Sequence, residues 1–346
     1  MNILMYSPAF YPSVGGLEAV VGILAEGLTR LGCRVKVVTT TPTDDGKTSF
    51  SYEVIRSPSM LELLSLTRWS NVFFHHNVSL KGIWPLFLVR RPWVVVHHGW
   101  YSRSDGRVGW QDCLKRIAVR LAATNIAVSH AVAEHLPVPC TVIPNPYKED
   151  LFRELPDVGR SGDLVFLGRL VSDKGCALLL EALSLLKSEG LRPQLTIIGS
   201  GPEETHLITQ ARDTGLSDQL FFAGKKGGEE LVSMLNQHKV MVIPSRCKEG
   251  FGIVALEGIA CGCVVIASNG GGLPEAVGPC GTLFPNGDAR ALADRIAHIL
   301  SHPSEMAAYR TGAAAHLARH RRSVVVHEYQ ETIRKLLLTR DGEAGA

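Results

Sequence analysis

Short, unbroken apolar runs alternate with longer amphipathic stretches along this chain, and glycine or polar clusters mark nearly every boundary between them. Runs such as Ile3 to Tyr6, Leu164 to Leu167 and Val264 to Ala267 lack the alternation of a half-solvated strand, so they predict strands buried on both faces. Residues 2–39 read as strand (Asn2 to Tyr6), a loop with Gly15-Gly16, an amphipathic helix from about Leu17 to Leu31, and strand (Arg34 to Thr39). The same plan returns at 163–199. Strand Leu164 to Leu167 leads into a loop with Gly168, Arg169, Lys174 and Gly175, then a helix with Leu179, Leu180, Leu183 and Leu186 on its faces, then strand Gln194 to Ile198. Strand, glycine loop, helix, strand is the βαβ unit of a parallel sheet, and its recurrence at mid-chain predicts two doubly wound α/β domains.

Further strands are expected at Val72 to His76, Trp93 to Val96, Asn125 to Val128, Thr141 to Ile143, Leu220 to Ala223, Lys239 to Pro244 and Val264 to Ala267. Glycine and polar residues follow them: His97-His98-Gly99, Ser129-His130 (with Ser129 placed to cap a helix), Asn145, Gly199-Ser200-Gly201, Lys225-Lys226-Gly227 and Asn269 to Gly272. Ligands of parallel sheets bind beyond the carboxyl ends of strands, so these loops are the places to search. The stretch Pro144 to Asp163 reads as a linker, giving a first domain at 1–155, a second at 156–322, a cleft between them, and a last helix at 323–340 returning to the first domain. Asp341 to Ala346 is expected to fray.

Length and composition bound the class. A chain of 346 residues with 45% apolar and 20% charged positions suits two globular domains. The first strand begins at Asn2 and no apolar run reaches the ~18 residues that cross a bilayer, so a cytoplasmic protein without signal peptide is expected. Eight cysteines without paired spacing suggest buried, reduced thiols. The net charge of +3 is unevenly spread: residues 61–120 hold nine Lys/Arg (Arg68, Lys81, Arg90, Arg91, Arg103, Arg107, Lys115, Arg116, Arg120) against Glu62, Asp105 and Asp112. All five tryptophans lie in the same window. Basic residues interleaved with Trp suit an anionic lipid surface; core tryptophans under a solvated basic face would give the same composition.

The richest chemistry lies at Glu249 to Glu257, where two carboxylates eight positions apart flank Gly250-Phe251-Gly252 and open into a helix. Gly252 permits close backbone approach, and free N–H groups around Gly252, Ile253 and Val254 suit a phosphate. Carboxylates beside a phosphate would repel it, so each is better used on hydroxyls, where a charged acceptor makes hydrogen bonds worth roughly 1.5–3 kcal/mol. Ribose and hexose are the natural diols. His97 and His98 are adjacent in an extended run, so only one can face a ligand. His75 and His76 lack a partner spacing for zinc, and Glu18 reads as a helix-start charge.

Taken together, Gly15-Gly16-Leu17-Glu18, the segment Pro244 to Gly252 and Gly271 to Glu275 resemble glycosyltransferase family 4, retaining sugar transferases of the GT-B fold. The resemblance extends over nearly the whole chain. It implies a donor site in the second domain, with Arg169 and Lys174 on the diphosphate, Glu257 on the ribose diol, Glu249 under the anomeric carbon, and the backbone of Phe251, Gly252 and Ile253 on sugar and phosphate. Gly199 and Lys226 join the donor-side candidates, although Lys226 stands where the family often has a small apolar residue. In the first domain Gly16 would approach the diphosphate, His98 would orient donor sugar and acceptor hydroxyl, and Asn145 would lie on the acceptor side. A second departure is Gly258, where the family usually has alanine.

The resemblance further implies a UDP- or GDP-hexose donor and a glycan or polyprenyl- or lipid-linked acceptor. An anionic membrane surface is an additional candidate partner, nucleic acid is not one, and a place on the inner face of the cytoplasmic membrane would follow. No Asp-x-Asp triplet occurs, so neither metal nor other cofactor is expected, and the cations with a helix start would carry the leaving-group charge. A sugar-nucleotide epimerase of the same fold and a catalytically silent sugar-nucleotide-binding protein remain alternatives. A dehydrogenase is disfavoured because the first loop lacks Gly-x-Gly-x-x-Gly.

Overall fold

The computed structural model describes residues 1–13, 15–42, 49–101 and 109–344. They divide into two compact units, Met1–Pro146 with Arg321–Ala346, and Tyr147–His320. The first unit contains β1 (Asn2–Ser7), β2 (Arg34–Thr39), β3 (Glu53–Arg56), β4 (Val72–His76), β5 (Trp93–His97), β6 (Thr124–Ala127) and β7 (Thr141–Val142), ordered β3-β2-β1-β4-β5-β6-β7. The second contains β8 (Gly162–Leu167), β9 (Leu195–Ile198), β10 (Leu220–Gly224), β11 (His238–Ile243), β12 (Val264–Ser268) and β13 (Gly281–Phe284), ordered β10-β9-β8-β11-β12-β13. Every pairing is parallel.

The unbroken apolar runs form the inner strands because helices cover both faces of each sheet. Strands β4, β5 and β12 are buried at every residue. Strands β3 and β13 were not expected from the sequence; they are outer strands, mostly half-exposed, whose mixed composition carries no continuous apolar run. In each sheet the strand order reverses at one place, between β1 and β4 and between β8 and β11. Loops leaving those strands diverge to opposite faces and open a crevice at their carboxyl ends.

The expected boundary at 155/156 falls earlier, between Pro146 and Tyr147. Segment 147–155 is bound to the second unit: Phe152 is buried, the Leu155 N–H donates to Asn236 Oδ1 at 2.8 Å, and Asn236 Nδ2 donates to the Arg153 carbonyl at 2.9 Å. The chain re-enters the first unit at Arg321 rather than at 323. There the helix Arg322–Ala344, which continues past the end expected from sequence, packs on the helix Gly16–Arg30. Gly27 permits the approach, since a Cβ there would lie 2.5 Å from Val326 Cγ2. Val325, Tyr329 and Ile333 are buried beneath it, with the Tyr329 ring 6.4 Å from that of Phe74.

All eight cysteines are free thiols, and Cys113, contrary to the expectation of burial, is exposed. Trp93 is buried and Trp69, Trp84 and Trp100 are half-buried, whereas Trp110 is exposed. Arg103, Asp105 and Arg107 of the basic window lie outside the described residues. No helix among the described residues is long and apolar enough to cross a membrane.

Candidate functional site

The crevice of the second unit gathers the strongest candidates. Lys174 ends a single 3-10 turn (Ser172–Lys174) after β8, and Glu249 lies in the loop after β11, so the two strands flanking the order reversal deliver them to one place. Lys174 Nζ donates to Glu249 Oε1 at 2.5 Å, and Ser245 Oγ donates to the same oxygen at 2.6 Å. Two donors thus hold Oε1, and Oε2 has no protein partner among the described residues. Lys174 keeps further N–H donors of its ammonium for an anion.

Backbone contacts fix this arrangement. Gly175 has φ 70° and lies so close to the Pro244 carbonyl that a Cβ would fall on its oxygen. The Arg246 N–H donates to the Asp173 carbonyl at 2.8 Å, stitching the β11 loop to the Lys174 turn. From the β12 side, Gly271 (φ 61°) bridges Glu249, and the Gly272 N–H donates to the Glu249 carbonyl at 2.8 Å. Ser268 Oγ donates to the Ser245 carbonyl at 2.7 Å. Three strand-end loops therefore hold Glu249, two through its carboxylate and the third through its main chain. Gly199 (φ 149°) packs on the Gly168 carbonyl, and Leu170 N–H donates to the Ser200 carbonyl at 3.0 Å, which ties the β8 and β9 loops together around Arg169.

The helix Ile253–Ala260 begins at Gly252, whose φ of 99° places it in the left-handed region, and no side chain caps it. The N–H groups of Ile253 and Val254 have no acceptor among the described residues and constitute a positive helix end. Phe251 is buried, its ring 5.4 Å from that of His320. Glu257, half-buried one turn on, has a carboxyl that burial pushes up to about 7 against the opposing pull of Lys148. Arg169 is exposed and makes no ion pair among the described residues. Lys226 follows the edge strand β10, which β9 separates from β8, and pairs at 2.5 Å with Glu230 of the helix Gly228–Asn236. Ser245, absent from the residues singled out in the sequence, is the notable omission; its one legible signal was its place four residues before Glu249.

In the first unit Gly16 starts the helix after β1, where Ser13 Oγ donates to Glu18 Oε1 at 2.9 Å, and Glu18 serves the helix start. Strand β5 turns His97 inward, its two ring nitrogens within 2.8 Å of Tyr101 OH and 3.0 Å of Asn125 Oδ1, a satisfied structural histidine. His98 lies just beyond, its N–H donating to Asn77 Oδ1 at 2.8 Å and its Nε2 3.0 Å from His76 Nδ1. Burial, then the neighbouring His76 and His97, hold its imidazole well below the ordinary value, so it is neutral. Burial likewise lowers His76 to about 3, and His75, to about 3, lies among Tyr6, Phe73 and Trp93. Among the described residues no cluster of His, Cys, Asp or Glu has the geometry to hold a metal. Asn145 is buried just after the edge strand β7.

Two parallel-sheet units, the second with a cation and carboxylate at its strand-order reversal, define a doubly wound α/β architecture with a ligand crevice at that point. Comparison with known proteins sharpens this. Residues 14–150 match the model described as Glycosyltransferase Family 4, and residues 148–316 the model described as Glycosyl transferases group 1. A D-inositol 3-phosphate glycosyltransferase of Saccharomonospora viridis is 36% identical over 167 residues, covering 45% of this chain and 38% of that protein. The chain thus spans well under two thirds of that relative. A GDP-mannose-dependent alpha-(1-6)-phosphatidylinositol monomannoside mannosyltransferase of Mycobacterium tuberculosis is 27% identical over 86% of this chain and 89% of its own length. Among solved structures, Anabaena HepE in complex with UDP and glucose superposes with a TM-score of 0.80, 21% identity, and coverage of 97% and 100%. The chain belongs to glycosyltransferase family 4 and has the GT-B fold.

Proposed function

We propose that this chain is a retaining glycosyltransferase that moves a hexose from a UDP- or GDP-sugar to a hydroxyl of a glycan or lipid-linked acceptor. The second unit holds the donor and the first the acceptor. The observation that carries this reading is Glu249, whose Oε1 is held by Lys174 and Ser245 while Oε2 is left as a hydroxyl acceptor. Lys174, Arg169 and the open helix start at Ile253 supply positive charge to a departing diphosphate, a preorganised electrostatic device of the kind that stabilises developing anions. Glu257, as a carboxylate, takes the ribose diol.

In the reaction the bond from the anomeric carbon to the diphosphate oxygen breaks, its electron pair leaving on the diphosphate. The acceptor oxygen bonds to the anomeric carbon from the vacated face, and its proton passes to the departing phosphate. A neutral His98 polarises and orients a hydroxyl rather than serving as an obligatory base. Because side chains and a helix end carry the leaving-group charge, a chelator is expected to leave turnover unchanged. The GDP-mannose dependence of one relative and the UDP and glucose held by one structural neighbour support the donor class. A role in bacterial surface polysaccharide or glycolipid assembly, on the cytoplasmic side of a membrane, fits a lipid-linked acceptor.

The test combines a thermal-shift panel of sugar nucleotides with the Glu249→Gln variant. A true donor at one hundred times its dissociation constant stabilises the fold by about 2.7 kcal/mol. Glu249→Gln should fold normally and lose turnover by orders of magnitude; full activity in that variant refutes the assignment. Product analysis without acceptor separates transfer from epimerisation.

A further inference from the structure

We propose that one face of the first unit docks on an anionic bilayer, with a row of apolar side chains inserted among the lipids and a fringe of arginines on the phosphates. The face is built by the helix Trp110–Ala118, the 3-10 turn Val119–Leu121 and the 3-10 turn Trp84–Phe87 with Leu88. Trp110, Leu114, Ile117 and Leu121 are spaced by four, three and four residues, so they share one side of a helical cylinder. They are 70%, 43%, 58% and 68% exposed, whereas Ala118, beside the row, and Val119, opposite it, are buried in the unit. Phe87 and Leu88, 72% and 68% exposed, extend the row, because Leu121 and Phe87 line the same cavity of about 300 Å³. Single exposed apolar residues are ordinary; a contiguous row of this kind marks an interaction surface.

Charge decides the occupant. Residues 80–101 and 109–123 contain six basic side chains, Lys81, Arg90, Arg91, Lys115, Arg116 and Arg120, and a single acid, Asp112. Asp112 is already engaged, accepting from the Gly109 N–H at 3.0 Å and lying 3.7 Å from Lys115 Nζ. A second copy of this chain seated on the same face would set these cations against each other. Lipid phosphates neutralise them, and long basic side chains extend to head groups while their stems lie along the apolar layer. Trp110 at the edge of the row has the amphipathic ring favoured at a membrane interface. A helix so arranged lies in the interfacial plane, with the apolar row inward.

The experiment uses the full chain with vesicles of phosphatidylcholine alone and of phosphatidylcholine mixed with an equal amount of phosphatidylglycerol. Co-sedimentation is expected with the mixed vesicles only, weakening as salt rises. Arg116→Gln with Arg120→Gln should lower the partition coefficient roughly fivefold per residue. Trp110→Ser with Ile117→Ser should lower it roughly tenfold or more, while Leu191→Ser, an exposed apolar position of the second unit, should not change it. Circular dichroism and binding of UDP or GDP, followed by calorimetry, should be unaltered in all of them. A docking failure is therefore distinguishable from failure of the donor site. Wild-type protein that ignores the mixed vesicles, binding that survives Trp110→Ser with Ile117→Ser, or a dimer in solution that this pair dissolves would each overturn the proposal.

Discussion

Replacing Ser245 with alanine separates the positioning of Glu249 from the binding of phosphate. Ser245 Oγ is buried and donates to Glu249 Oε1 at 2.6 Å; Lys174 Nζ shares that oxygen at 2.5 Å. The substitution removes one of two donors from a carboxylate that the neighbouring ammonium keeps anchored. A hydrogen bond to a charged group is worth roughly 1.5–3 kcal/mol, so an equal loss of transition-state stabilisation lowers turnover about 10- to 150-fold. The fold should persist, because the bond from Ser268 Oγ uses the main-chain carbonyl of Ser245 and survives the change. The assay is steady-state transfer with each candidate donor, alongside calorimetric binding of UDP and GDP without sugar. Turnover should fall while affinity for the free nucleotide holds within a few-fold, and Ser245→Thr, which retains the hydroxyl, should recover part of the loss. Undiminished turnover in a folded Ser245→Ala protein refutes the reasoning. An equal loss of nucleotide affinity would mean that the loop itself had moved.

Glu257 supplies a pH signature: its carboxyl, raised by burial from the ordinary 4.5 to about 7, keeps a proton in the folded chain that the unfolded chain releases. This contribution to stability is full below 4.5, declines as pH rises through 7 and is then spent; Glu257→Gln should flatten the thermal midpoint across that window, and matching profiles would count against the assignment. If the ionised form grips ribose, UDP or GDP should also bind more tightly to wild type as pH rises through 7, beyond any trend in Glu257→Gln. Gly175→Ala should lower the melting temperature by several degrees and weaken donor binding with it, since about 1–2 kcal/mol of left-handed backbone cost is joined by a Cβ falling on the Pro244 carbonyl. Gly190→Ala (φ 86°, with open space around the position) carries the backbone cost alone, so equal melting temperatures for the two would refute the packing account.

The inner strands and the loops at their carboxyl ends were readable because burial on both faces requires unbroken apolar runs, and a parallel sheet sets every such loop on one side. Lys174 and Glu249 were found through that logic, without knowledge that they touch. Their contact was not readable, since it depends on β8 and β11 being neighbours, and strand order is a property of the whole sheet. Ser245 was missed for the same reason: a serine before a glutamate looks like ordinary loop until both turn toward one ammonium. The pairing of Lys226 with Glu230 was not readable either, because a loop position does not reveal that its strand lies at the sheet edge. The histidines divide similarly. Alternation along β5 predicted that His97 and His98 would face differently, but the contact of His98 with His76 required the pairing of β4 with β5, in which His76 opposes Val96.

Gly258 shows how tertiary packing reverses a local reading. In a helix a glycine in place of alanine costs roughly 1 kcal/mol, which made this position look like a tolerated weakness. In the fold, a Cβ there would lie 2.6 Å from Met241 Sδ on β11, so glycine lets the helix Ile253–Ala260 settle directly against the strand that precedes the Glu249 loop. Met241 Sδ is near the flexible end of its side chain and could shift to admit a Cβ, at the cost of this close contact. The helical penalty is therefore offset by closer seating of the element whose uncapped N-terminus follows the Glu249 loop. The backbone freedom of Gly252, Gly271 and Gly175 serves the same loops from other sides. Glycines in this unit thus determine how near the strand-end loops approach one another, and that spacing sets the reach of Lys174 and Glu249.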